Sequence, residues 1–137
     1  FVAGFIGTPA MNFFEGRLEK TGGGRYRFAG TGLDLELPEE WNEGLATLVG
    51  DRATLGIRPE DIGSGLAMNT PGAPRIAAKV DVVEPMGAET FVHASVGGNT
   101  FVARVEAHVD IKPGQEAGLP VYLPKAHVFA PGGAAIV

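Results

Sequence analysis

Two short polar clusters hold most of the chemistry that this sequence could perform. The first is Arg58-Pro59-Glu60-Asp61, a guanidinium and two carboxylates around a proline. Such a set can grip a charged partner. It can equally be strand-end punctuation, with Pro59 fixing the turn and Arg58 paired to a local carboxylate. The second is Glu84-Pro85-Met86-Gly87-Ala88-Glu89, which interrupts two alternating stretches where a two-residue turn would suffice. It reads as a bulged corner where a barrel closes, or as the lining of a small-molecule or partner groove. Arg58, Glu60, Asp61, Glu84, Met86, Gly87 and Glu89 are therefore the candidate contact residues. None of them is a candidate catalyst.

Other reactive side chains are poorly spaced for chemistry. His93, His108 and His127 lie far apart, without i,i+4 or H-E-x-x-H spacing, so neither a metal centre nor a catalytic histidine is expected. Ser95 lacks a G-x-S-x-G context. Glu39, Glu40 and Glu43 lack the aspartate-rich, glycine-centred spacing of a calcium loop and read as a solvated face. Gly22-Gly23-Gly24 is followed by Arg25-Tyr26, not by the Lys and Ser/Thr of a phosphate loop, and no S-G-G-Q-like stretch occurs. An ATP site needs the loop amides, the lysine and a magnesium ligand together, so no cofactor is expected in this stretch.

Composition narrows the classes further. The chain has 137 residues, no cysteine, and a net charge of -5 without an acidic or basic block. Disulfides and thiolate metal sites are excluded. A nucleic-acid partner is not expected: Arg17, Arg25, Tyr26, Arg27 and Phe28 come closest to a basic, aromatic groove, but acidic residues surround them. No apolar run reaches the roughly 18 residues of a membrane-spanning helix.

The elements that must position these clusters are strands. Gly 21 and Pro 10 in a chain that is 45% hydrophobic point to short strands joined by many turns. Period-two alternation predicts strands over 11–20, 25–29 and 33–37, a first meander. Residues 39–44 read as an exposed loop, 45–49 as a short strand and 51–57 as another. Residues 63–74 read as a flexible connection. Alternation then resumes from Arg75 to Val105 as a second meander, with Gly97-Gly98-Asn99 supplying a tight reversal. Residues 106–118 read as mostly turn, 119–123 as a strand, 124–127 as a turn and 128–137 as a final strand. Phe1/Phe5 and Val2/Ile6 are spaced i,i+4, which predicts a helical turn stopped by Gly7-Thr8-Pro9.

Four stretches resemble a known family. F-V-A-G-F-I-G-T-P-A-M-N-F at 1–13 resembles the junction following the ATP-hydrolysing domain of ABC-class importer ATPases of the maltose and glycerol-3-phosphate branch. G-I-R-P-E-D at 56–61, V-E-P-M-G-A-E-T at 83–90 and L-P-K-A-H-V-F-A at 123–130 resemble the landmarks of that family's carboxy-terminal domain, in the same order. The region around Trp41 matches no landmark, so no relative's signal-protein docking surface can be carried over to it. The resemblance implies an all-β, OB-type barrel with additional antiparallel strands, the transport-associated (TOBE-type) domain, over residues 10–137. Residues 1–9 would be the end of a linker helix from a preceding ATPase domain, and ATP and magnesium would belong to that domain alone. It further implies a regulatory and dimerisation role, without ATPase activity of its own. The implied partners are a second copy of the subunit, transmembrane permease subunits and a regulatory protein, at the cytoplasmic face of the cell membrane. The competing reading is a barrel that senses a sugar or small anion, with the 84–89 corner beside Arg58 as its site.

Overall fold

A computed structural model describes residues 10–137. The helical turn expected at the amino terminus, and the boundary drawn at residue 9, lie outside the described residues. Among the described residues nine strands form two antiparallel sheets around one core. The first sheet contains β1 (Asn12–Lys20), β2 (Tyr26–Gly30), β3 (Leu33–Glu36), β4 (Arg52–Ile57) and β9 (His127–Phe129), in the order β3-β2-β1-β4-β9. The second contains β5 (Arg75–Pro85), β6 (Glu89–Val96), β7 (Asn99–Glu106) and β8 (Glu116–Pro120), in the order β7-β6-β5-β8. This is the all-β architecture expected of an OB-type fold.

Alternation decides which face of each sheet turns inward. Phe14 and Leu18 from β1, Phe28 from β2 and Leu55 from β4 meet Val80, Val92, Ala94 and Phe101 of the other sheet, and all are buried. Each large apolar side chain so buried stabilises the fold by roughly 1.5–3 kcal/mol. Phe14 and Phe101 pack edge to face with centroids 5.6 Å apart, joining β1 to β7 directly. Beside them the Asn12 amide donates from Nδ2 to the Val102 carbonyl (2.8 Å) and accepts at Oδ1 from the Val102 N–H (2.9 Å). That side chain acts as a short stand-in strand along the outer edge of β7.

Two tight turns close the other end. Gly97 and Gly98 connect β6 to β7 at φ values of +56° and +84°, the left-handed pair that a two-residue hairpin loop demands. A Cβ on Gly97 would also overlap the carbonyl of Thr31 in the β2–β3 turn. Glycine here serves both the reversal and the contact between sheets.

Several local expectations are corrected. Residues 39–44 are not an open loop and 45–49 is not a strand. A 3-10 turn (Glu39–Trp41) runs into helix α1 (Asn42–Leu45). Trp41, Leu45 and Leu48 fall at i, i+4 and i+7, and all three pack on the core, so helical spacing prevailed over a short apolar run. The connection at 63–74 holds helix α2 (Gly65–Met68), pinned by buried Ala67. Strand β8 begins at Glu116, inside the expected turn, because β5 offers it a five-residue ladder. The last strand is only three residues long; beyond it Gly132 and Gly133, both at φ +100°, turn the chain.

The 84–89 interruption proves shorter than expected. β5 runs through Pro85, and the corner is Met86-Gly87-Ala88, closed by the Met86 N–H donating to the Glu89 carbonyl (2.8 Å). Gly87 sits at φ +93°. The irregularity in register lies elsewhere, between Val80 and Val82.

Candidate functional site

The first cluster forms where β4 leaves its sheet. Arg58 is extended, and Pro59, whose ring presets a helical φ, opens a 3-10 turn over Pro59–Asp61. The turn closes with the Asp61 N–H donating to the Arg58 carbonyl (2.9 Å). The Tyr122 N–H donates to the Asp61 carbonyl (2.8 Å), and the Ser64 hydroxyl donates to the Glu60 carbonyl. The turn packs on β7, which leaves Arg58 exposed and Asp61 only 2% exposed. Burial pushes the Asp61 carboxyl above the usual carboxylate range and Glu60 reinforces the effect, while Lys125, Arg58 and Arg104 oppose it.

The second cluster splits. His93 Nε2 lies 3.0 Å from Glu84 Oε1 across the β5–β6 ladder. Glu89 turns the other way, its Oε1 lying 3.7 Å from Arg104 Nε on β7. Met86 is 51% exposed at the corner beside Gly87.

Arg104 is the residue that sequence reasoning passed over. It lies 3.7 Å from Glu89, and its strand also carries the Pro59–Asp61 turn, so both clusters lie against β7. The available signal was its place in the 100–105 alternation, opposite the inward Ala103 and Val105. Nothing in the spacing showed which carboxylates it would join. Of the seven predicted contact residues, Arg58, Glu60 and Asp61 share the turn against β7, Glu89 pairs with Arg104 on that strand, Glu84 pairs with His93, and Met86 and Gly87 stand out on the corner. Helix α2 belongs to the same end: a Cβ on Gly65 would stand 3.9 Å from Glu106 Oε2, and Glu106 is opposite Glu89 in register.

This arrangement presents partly exposed charges beside an exposed methionine. Its ion pairs are partly exposed, where each contributes at most about 1 kcal/mol. Among the described residues no three His, Asp or Glu side chains group to hold a metal ion. His108 is exposed beside Glu106, and His127 Nδ1 lies 3.1 Å from the Val137 carbonyl, far from His93 in the fold's order. A groove of about 330 Å³ lies elsewhere, between Arg25, Glu36 and Pro38 on one side and Pro74, Tyr122 and Pro124 on the other. None of the seven predicted residues lines it.

Comparison with known proteins gives this geometry a family. The MalK OB fold domain matches residues 7–62, and the TOBE domain matches residues 55–129, more than half of the chain. The chain belongs to the TOBE domain family. The two matches overlap over 55–62, which places Arg58, Glu60 and Asp61 of this TOBE domain in their shared segment.

Its relatives are named as importer components. It is 35% identical over 94% of its length to the oligosaccharides import ATP-binding protein MsmX of Bacillus subtilis. It is 36% identical over 94% to the trehalose/maltose import ATP-binding protein MalK of Thermococcus litoralis. It is 39% identical over 96% to the sn-glycerol-3-phosphate import ATP-binding protein UgpC 2 of Agrobacterium fabrum. The chain spans only 35%, 35% and 32% of those proteins, respectively. Its fold is similar to that of the cytoplasmic molybdate-binding protein ModG, with a TM-score of 0.61, 16% identity, and coverage of 94% of this chain and 99% of that one. At that identity the likeness concerns fold alone.

Proposed function

We propose that this TOBE domain is the C-terminal regulatory and dimerisation domain of the ATP-binding subunit of an ABC importer for carbohydrates or related solutes. The observation that carries the proposal is the match along 94–96% of the chain to proteins named as import ATP-binding proteins, of which it covers about a third. In this role it performs no hydrolysis. ATP and magnesium belong to another part of the same polypeptide, and permease subunits tether the assembly to the cytoplasmic face of the membrane.

The domain's own work is to hold a second copy, and through it a regulatory protein can act. The surface that supports this reading is the end where the two clusters meet. Met86 on the corner and Leu66 and Met68 on α2 are 51%, 48% and 57% exposed, large apolar side chains that a partner could cover. Apolar side chains supply the association energy, and the rim charges set register and specificity.

The coding sequence immediately upstream of Phe1 tests the parentage. A G-x-x-x-x-G-K-[ST] loop followed by an S-G-G-Q-like signature is the expected result. An upstream region that encodes neither motif would contradict the proposal.

A further inference from the structure

The outer face of the first sheet carries an arrangement that neither folding nor the proposed dimer contact explains. Arg17 on β1 and Arg52 on β4 are direct cross-strand partners, and both are exposed. Like charges placed opposite each other on neighbouring strands destabilise a sheet, because their Cβ atoms stand only about 5 Å apart. The neighbouring arginines are neutralised: Arg25 faces Glu36 at 3.8 Å, and Arg27 faces Glu19 at 3.5 Å and Asp34 at 3.2 Å. Among the described residues no carboxylate stands within ion-pair distance of Arg17 or Arg52, although Glu15 lies one position along on the same face.

Arg17 and Arg52 line a half-open concavity of about 560 Å³, together with Glu15, Thr54 and Pro131. Glu15 and Thr54 are themselves cross-strand partners, so four polar side chains form a compact square. Guanidinium groups recognise phosphate by paired, planar hydrogen bonds, and two side by side match a dianion in both charge and geometry. A bare tetrahedral anion would fill only a small part of the concavity. The remaining space is bordered by a hydroxyl and a carboxylate, groups suited to the hydroxyls of a polyol or sugar.

From this geometry we infer that the outer face of the first sheet is a binding site for a phosphate monoester of a small polyhydroxylated molecule. Arg17 and Arg52 hold the phosphate, and Thr54 and Glu15 contact the organic part. The site is distinct from the end where the Glu89–Arg104 pair lies, and it does not depend on the proposed parentage. A bound dianion would also remove the cross-strand repulsion, so ligand binding should stiffen the β1–β4 pair.

Isothermal titration with glucose 6-phosphate, inorganic phosphate and glucose tests the inference. Glucose 6-phosphate should bind at least about ten-fold more tightly than inorganic phosphate, glucose should give no heat, and added salt should weaken binding. Arg17→Gln and Arg52→Gln should each weaken glucose 6-phosphate binding at least about ten-fold, the scale expected from losing one guanidinium–phosphate contact. Neither variant should lower the melting temperature without ligand, since each relieves the like-charge contact. That readout separates loss of a ligand contact from loss of the fold. Three results would overturn the inference: no binding of glucose 6-phosphate, equal binding of inorganic phosphate, or full affinity in the double variant.

Discussion

Asp61 shows how one residue's placement sets a measurable property. Its sequence context, after Arg58-Pro59-Glu60, suggests a solvated charge, yet the 3-10 turn packs it against β7 with 2% exposure. Burial raises its pKa in the folded chain above the unfolded value of 3.8. A raised carboxyl pKa means that the folded state holds the proton more tightly than the unfolded state. The stabilisation is therefore complete below the unfolded value and is lost as pH rises through the folded one. Asp61→Asn should therefore be more stable than the natural chain near pH 7. The gap should close as pH falls towards the unfolded carboxyl value. Denaturant titrations at the two pH values check this, and a pH-independent difference would show that Asp61 is not the titrating group. Arg104 illustrates the opposite limit, since its pairing with Glu89 depends on how the β6–β7 ladder registers, which its own spacing does not show.

At the level of elements, the link between β1 and β7 is the point most open to experiment. The Asn12 amide makes two hydrogen bonds to Val102, satisfying both the N–H and the carbonyl of that residue on the open edge of β7. Asn12→Ala should cost about 2 kcal/mol, the sum of two ordinary hydrogen bonds, and hydrogen exchange at Val102 should rise selectively. Unchanged exchange there would contradict the stand-in role. Strands were legible wherever alternation ran for five residues or more, as in β1, β5, β6 and β7, because a period of two leaves one face apolar. Helix α1 was not, because its four residues are too few to display a period without Trp41 and Leu48. The corner at Met86-Gly87-Ala88 was legible as an interruption, but its length depended on Pro85 being tolerated at the end of β5. The Asn12–Val102 pairing spans 90 positions and left no local trace.

For the molecule as a whole, two sheets share one core, and the chain leaves the first for the second at Arg58–Asp61, within the overlap of the MalK OB fold and TOBE domain matches, and returns between β8 and β9. The landmark stretches at 56–61, 83–90 and 123–130 could be read from sequence because they mark strand exits and turns, where proline and glycine requirements are strict. Which of them converge could not be read, since that depends on how the sheets fold over each other. At this scale we propose that the domain holds a second copy of itself through the surface bearing Met86, Leu66 and Met68. Light scattering across a concentration series is the direct measurement. The mass should rise from that of one chain towards that of two, and Met86→Glu should return it to one. A mass of one chain at concentrations up to on the order of 1 mM, the weak end of specific association, would contradict the claim.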